Sequence, residues 1–400
     1  MSVQPVSLEE AVGRFRQILE EQVDRAERIS RPAKWIDYSK LDKVVIGIIG
    51  GDGIGPIIAK ETVRVLRQVL RDEFSSGKIE LREIGGLAIE NRIRLMKPLP
   101  DEVLAEIKKC HVLLKGPTTT PEEGSGLPNI ESANIIIRRT FDLFANVRPV
   151  RVPKQGIDWV FFRENTEGEY MLGSRGIMVL PNLAMDFKVI TKPGAERITR
   201  LAFEHARKTG RKKVTVVTKA NVIKASDGLF LETAKKISRD FPEITLDAWY
   251  IDVFAAKLID KKRRKEFQVV VIPNLYGDII TDEAAELQGG VGTAGSANIG
   301  TSFGMFEAIH GSAPRMIAEG RGGYADPLSL MRAAALMLEH VGLTTKSRRL
   351  SMALDMCAIY EQKFKITGRA NGATTVQFGD YVISNLVNPK LEARWQSYQS

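Results

Sequence analysis

Cysteine is nearly absent from this sequence. Two in 400 residues, Cys110 and Cys357, provide no disulfide framework and fit a reducing compartment. No run of 18 apolar residues occurs, so no membrane span is expected. The first 30 residues lack a signal-peptide core, and they carry acids (Glu9, Glu10, Glu20, Glu21, Asp24, Glu27) among their basic residues, unlike a transit peptide. Internal repeats and low-complexity linkers are missing too. These absences predict a soluble, cytoplasmic protein with no membrane partner. The net charge of +9 and two basic runs, 207–213 and 261–265, invite a nucleic-acid reading. Neither run is interleaved with aromatics, and no nucleic-acid-binding signature accompanies them. Each directly precedes an apolar strand-like run, so both read as solvated turns at a sheet edge, with no nucleic-acid partner. A basic protein can instead gather acidic small molecules.

What is present is α/β material. At 44% apolar the chain can bury a sizeable core in two domains. Short apolar runs at 44–49, 112–114, 159–162, 214–218, 249–252 and 269–272 suit buried strands, and each opens into a polar or glycine-rich turn. Gly50-Gly51-Asp52-Gly53-Ile54-Gly55-Pro56 joins the first run to a helix with Ile58, Thr62, Val65 and Val69 on one stripe. Its glycine spacing is not the dinucleotide fingerprint. Residues 8–29 have helical spacing (Val12, Phe15, Ile18, Leu19, Val23) and predict a packing or oligomerisation helix without chemistry. Residues 289–304, rich in Gly, Ala, Ser and Thr, suggest a close-approach loop. Residues 333–338 suggest a buried helix.

The chemistry concentrates after the run 269–272. Asp278 and Asp282 stand four apart at the start of a helical segment and share one face. A divalent cation relieves their repulsion, since Mg²⁺ takes one or two carboxylates and leaves its other positions to water or substrate. The alternative is a helix whose first turn carries acids because its dipole favours them. Arg138, Arg148 and Arg163 end separate elements, and guanidinium groups grip planar carboxylates bidentately. Lys219 ends a strand, where neighbouring cations could bring its pKa into a catalytic range.

Four ordered motifs resemble the β-decarboxylating dehydrogenases, the family of isocitrate and 3-isopropylmalate dehydrogenases: Gly51-Asp52-Gly53-Ile54-Gly55-Pro56, Arg163-Glu164-Asn165-Thr166-Glu167-Gly168, Asn274-Leu275-Tyr276-Gly277-Asp278 with Asp282, and His310-Gly311-Ser312-Ala313-Pro314. The resemblance covers about residues 44 to 390. It implies a two-domain α/β fold distinct from the Rossmann fold. An N-terminal helical extension (1–43) would precede a large domain (44–143 and 290–400) and a small one (144–289). A clasp at about 168–191 would tie two identical subunits into a dimer with shared active sites. The resemblance further implies that Asp278 and Asp282, with Asp252 of the other subunit, hold Mg²⁺ or Mn²⁺. Lys219, with Asp252, would take up the substrate's hydroxyl proton, and Tyr170 would protonate the product carbon. Arg138, Arg148 and Arg163, with Thr120, would hold the substrate. Asn221, His310, Gly311, Ser312, Ala313, Pro314 and Arg315 would meet the coenzyme.

Within this family the group at C3 of the substrate separates the members. Ser132 and Asn134 match, at the same offsets from Arg138, the pair that isocitrate dehydrogenases use for the third carboxylate. An isopropyl group would leave them unpaired at roughly 1–3 kcal/mol per buried group. Isocitrate, a tricarboxylate, is therefore expected ahead of homoisocitrate and 3-isopropylmalate, although the loop from Thr120 to Ser132 is longer than in many isocitrate enzymes. Arg315 stands where NAD-using members carry an aspartate, and a guanidinium suits a 2′-phosphate, which favours NADP over NAD. Met316 and the stretch 367–378 point the other way, and a surface salt bridge is the plain reading of Arg315. A non-catalytic subunit would have lost Tyr170, Lys219, Asp252, Asp278 or Asp282. All five are present.

Overall fold

A computed structural model describes residues 5–121, 124, 126–128, 130–173 and 175–399. Residues 122, 123, 125 and 129 of the loop from Thr120 to Ser132 lie outside the described residues. In chain order the strands are β1 (Val44–Ile49), β2 (Ile79–Glu83), β3 (Val112–Lys115), β4 (Ala145–Val152), β5 (Ile157–Glu164), β6 (Ile177–Met178), β7 (Ala184–Met185), β8 (Lys213–Thr218), β9 (Thr245–Tyr250), β10 (Val269–Ile272), β11 (Gly295–Ile299) and β12 (Gly304–Ala308).

The chain forms two compact units. One holds residues 1–34 and 142–288, the other 35–141 and 289–400. In the second unit the strand order is β2-β1-β3-β12-β11, with β1 parallel to β2 and β3, and β12 parallel to β3. Only β11 runs antiparallel, against β12. Every residue of β1 and β3 is buried, as continuous apolar runs in a parallel sheet covered on both faces must be. The run 289–304 is therefore not all loop. Its glycine serves a close approach all the same, because a Cβ on Gly295 would lie 2.3 Å from the backbone nitrogen of Ala333 in the helix Leu328–His340.

In the first unit the order is β4-β5-β10-β8-β9, parallel except for the β4–β5 hairpin. Trp159, Phe161, Phe254 and Ile272 are buried together beside it. The expected strand at 249–252 ends earlier, at Tyr250, and Asp252 lies in the first turn of the helix Ile251–Leu258.

The N-terminal helix, Leu8–Ser30, is real, but of the expected stripe only Ile18 is buried. Ala11, Ile18 and Arg25, each seven apart, are its buried residues. Val12, Phe15, Leu19 and Val23 are exposed. The buried face meets Leu172, Ile177 and Val179 around the short ribbon β6–β7. An ion pair inside the first unit, Arg25 Nη1 to Glu167 Oε1 at 2.7 Å, fixes that contact; both side chains are almost fully buried. A buried carboxylate demands a partner, and Arg25 supplies it from this helix.

Candidate active site

In the first unit, β10 delivers the chain into the helix Asn274–Gln288, which sets Asp278 and Asp282 one turn apart on one face. Two arginines from neighbouring strands reach them. Arg148, on β4, donates from Nη1 to Asp282 Oδ1 at 2.9 Å and to Thr281 Oγ1 at 2.7 Å, with Nη2 3.7 Å from Asp278 Oδ1. Arg163, on β5, is nearly fully buried and donates to Asp278 Oδ1 from Nη1. Its Nε and Nη2 are fixed on Asn274 Oδ1 at 3.0 and 2.7 Å. Gly277 permits this approach, since a Cβ there would stand 2.6 Å from Arg163 Cγ. Tyr170 donates its hydroxyl to Asp278 Oδ2 at 3.0 Å, and Arg163 Cζ lies 5.7 Å from the centre of its ring. Burial, then the charge of Asp278, raises the Tyr170 pKa, so the phenol keeps its proton at neutral pH.

Five of the expected residues thus converge: Arg148, Arg163, Tyr170, Asp278 and Asp282. The side chains of Asp278 and Asp282 are 34% and 57% exposed. Two hard oxygen donors on one helix face, with open surface beside them, fit Mg²⁺ or Mn²⁺. Among the described residues, no group of three or more His, Cys, Asp or Glu gathers as a metal site. Asp252 does not complete one within this chain. It pairs instead with Lys219, Nζ to Oδ1 at 2.6 Å, and this contact lowers its pKa. The Lys219 backbone is anchored in turn, its N–H donating to Asp227 Oδ2 at 2.6 Å, and Asp227 also holds Lys188 at 2.6 Å. Asn221 follows on an exposed turn.

The second unit carries the remaining residues. Ser132 is the N-cap of the helix Ala133–Thr140, and its hydroxyl makes no capping bond. Asn134 Oδ1 accepts from Thr118 Oγ1 at 3.1 Å. Arg138, on the same helix, donates to Glu307 Oε1 at 2.8 Å, and fully buried Lys115 lies 3.7 Å from Glu307 Oε2. Burial pushes Lys115 down to about 8. Burial alone would raise Glu307, but Arg138 and Lys115 outweigh it and hold this carboxyl below its usual range. Thr120 is exposed.

The first glycine turn packs against the His310–Pro314 segment. The Ile54 N–H donates to Ser312 O at 2.9 Å, and a Cβ on Gly53, at φ +57°, would fall 2.0 Å from that oxygen. Asp52 is buried; Oδ1 accepts from Ile89 N and Oδ2 from Thr119 N, each at 2.7 Å, and Arg92 stands 3.4 Å from Oδ2. Thr119 Oγ1 and Ser312 Oγ share a hydrogen bond of 2.7 Å. His310 Nδ1 lies 2.9 Å from Gly311 O, and burial lowers its pKa. Gly311 is exposed, Ala313 has a left-handed φ of +47°, and Pro314 begins the short helix Pro314–Ala318. Arg315 is 87% exposed and pairs with Glu319 at 2.5 Å, while Arg321 grips the same Glu319 at 2.6 Å and the Gly368 carbonyl at 2.6 Å.

Sequence reasoning assigned no role to Asp52, Arg92, Lys115, Asn274 or Glu307. Asp52 and Asn274 lie inside motifs it singled out, and Glu307 stands three residues before the last of them; Arg92 had no local signal.

The isocitrate/isopropylmalate dehydrogenase family matches residues 45–382, and the chain belongs to it. A solved structure, isocitrate dehydrogenase from Methylococcus capsulatus, superposes with a TM-score of 0.75 at 34% identity, covering 86% of this chain and all of that one. The α/β fold is therefore that of the family. Among relatives, isocitrate dehydrogenase (NAD) subunit 2, mitochondrial, of Schizosaccharomyces pombe is 35% identical over 85% of this chain and 87% of its own. Isocitrate dehydrogenase (NADP) of Rickettsia prowazekii is 38% identical over 74% and 59%. Homoisocitrate dehydrogenase of Methanocaldococcus jannaschii is 34% identical over 86% and 98%. No helix among the described residues is long and apolar enough to cross a membrane.

Proposed function

We propose that this chain oxidatively decarboxylates isocitrate to 2-oxoglutarate and CO₂ with reduction of NADP⁺, dependent on Mg²⁺ or Mn²⁺. The observation that carries the choice of substrate is the polar pair Ser132 and Asn134, the N-cap and the first turn of the helix that carries Arg138. A third carboxylate satisfies such a pair and an alkyl group does not. Homoisocitrate is the second reading, favoured by the relative of that name, since it too presents a third carboxylate.

Arg148 and Arg163 hold substrate carboxylates beside Asp278 and Asp282, and Arg138 does so beside Ser132 and Asn134. Thr120 adds a hydroxyl. Asp278 and Asp282, with Asp252 of a second copy, would hold the cation, which when bound would supply Lewis-acid stabilisation of substrate oxygens. Lys219 of that second copy removes the hydroxyl proton and passes it toward Asp252 of the same copy, its 2.6 Å partner. Tyr170, kept protonated by burial and by Asp278, gives its proton to C3 after CO₂ departs. Asn221 and the segment His310–Arg315 would hold the coenzyme, which would supply the hydride acceptor. Arg315 and Arg321 share the single carboxylate of Glu319, so one guanidinium charge is in excess there for a 2′-phosphate. This excess supports NADP over NAD.

The shared site makes the working protein a dimer of identical subunits, with the segment 168–191 as its clasp. Two free, buried cysteines suit the cytoplasm. The test is product analysis with isocitrate and Mn²⁺. Equimolar 2-oxoglutarate, CO₂ and reduced nicotinamide support the reading; no product from isocitrate refutes it.

A further inference from the structure

The two basic runs at 207–213 and 261–265 meet at the far end of β5, β8 and β10, in the first unit. Lys265 lines two adjoining hollows there, one of about 410 Å³ and one of about 300 Å³. In the smaller, Arg211 is engaged by Asp158, donating to its O at 2.6 Å and to its Oδ1 at 3.0 Å, which leaves one further cation, Lys265, on its wall. The larger carries more charge. Its wall consists of Lys154, Gln155, Lys261, Arg264 and Lys265, four cations and one amide.

The neighbouring acids are already engaged: Asp158 by Arg211, Glu266 by Arg263 at 3.2 Å, and Asp260 by Lys257 at 3.6 Å. Arg264 is the informative residue. It is 9% exposed, and its buried Nε makes no hydrogen bond. A buried N–H left without an acceptor is costly. The surrounding backbone is built, since Trp159 Nε1 donates to Arg264 O at 2.8 Å and the Arg264 N–H to Asp260 O at 3.0 Å. A rigid fork with three mobile ammonium groups around it suits a compact anion of several charges.

We propose that this hollow binds a phosphate-bearing small anion, at a site separate from the Asp278–Asp282 carboxylates. The ligand is a pyrophosphate-type group, either free or carried by a nucleotide.

The test is calorimetric titration of the full-length protein with inorganic pyrophosphate, in metal-free buffer of low ionic strength. The native chain and the double variant K154A/K265A are compared, with ADP as a parallel titrant. Both lysines are exposed, so the variant keeps its fold and its turnover of the dehydrogenase substrate. Two charge-assisted contacts removed should weaken pyrophosphate binding by at least about tenfold. Tighter binding of ADP than of pyrophosphate would identify a nucleotide as the source; equal affinity would identify the phosphates alone. Absence of saturable binding, or binding unchanged in K154A/K265A, would overturn the proposal. Loss of pyrophosphate binding leaves the dehydrogenase reading untouched, because none of these residues belongs to it.

Discussion

Arg148 donates from Nη1 to Asp282 Oδ1 at 2.9 Å, so the outer carboxylate of the pair is already held by a cation of the protein itself. Asp282 is the more exposed of the two acids, at 57% against 34%, and so the more open to a metal ion. Asp282→Asn should weaken Mn²⁺ binding and lower kcat/KM by at least about 100-fold, because several kcal/mol of charge stabilisation depend on the ion. Its melting temperature should move little, since Asp282 is itself largely exposed and the amide oxygen of asparagine still accepts from Arg148 Nη1. Calorimetric Mn²⁺ titration alongside steady-state rates decides this. Unchanged Mn²⁺ affinity would remove Asp282 from the metal site.

Arg315 tests the coenzyme assignment. Its pair with Glu319 is surface-exposed, so Arg315→Asp should leave stability within about 0.5 kcal/mol. It should cut kcat/KM for NADP⁺ by about tenfold or more through loss of one charge-assisted contact. An equal effect on NAD⁺ and NADP⁺ would return Arg315 to an ordinary surface salt bridge.

The N-terminal helix is expected to be part of the fold. Arg25→Ala leaves Glu167 buried beside Thr191 with its charge uncompensated, which should cost about 3–5 kcal/mol. Truncation at Asp42 should lower the melting temperature for the same reason. A truncated chain with unaltered oligomeric state and melting temperature would show that the helix is dispensable.

His205 sets an acid limit. Burial, then the charges of Arg211 and Lys208, push it from 6.5 down to about 4, so the fold holds it neutral. The unfolded chain takes up a proton below about pH 6.5, and the native chain only near 4. Stability is therefore full above 6.5 and falls as pH drops toward 4, by at most about 1.4 kcal/mol per pH unit from this group. His205→Gln should flatten the melting-temperature profile between those limits. An unchanged slope would assign the acid sensitivity to other groups.

The strand cores and the carboxylate helix were legible because burial on both faces writes itself as unbroken apolar runs, and because i, i+4 spacing fixes a shared face. The docking of the N-terminal helix was not legible. Its buried face is Ala11, Ile18 and Arg25, a pattern too weak in apolar character to outrank the Val12–Leu19 stripe, and its energetic reason, Glu167, lies 142 positions away. Periodicity carries no information about a partner at that distance. The same holds for Arg92 on Asp52 and for Lys115 on Glu307: each is a buried charge whose reason is a residue far along the chain. Arginines marked as substrate ligands could be ranked by position, but their present partners, Asp278, Asp282 and Glu307, emerge only in three dimensions.

Ser132→Val with Asn134→Leu should reverse substrate preference. Loss of two polar contacts to the third carboxylate is worth roughly 10–100-fold each in kcat/KM for isocitrate, while the metal and hydride chemistry stays intact for smaller substrates. Equal loss on isocitrate and 3-isopropylmalate would mean that the pair supports the helix and does not read the substrate.

The most direct measurement is reduced-nicotinamide formation by the native chain with Mn²⁺, comparing kcat/KM for isocitrate, homoisocitrate and 3-isopropylmalate with each coenzyme. The account predicts isocitrate first, with NADP⁺ preferred. Turnover of 3-isopropylmalate alone would contradict the assignment of Ser132 and Asn134, and with it the central claim.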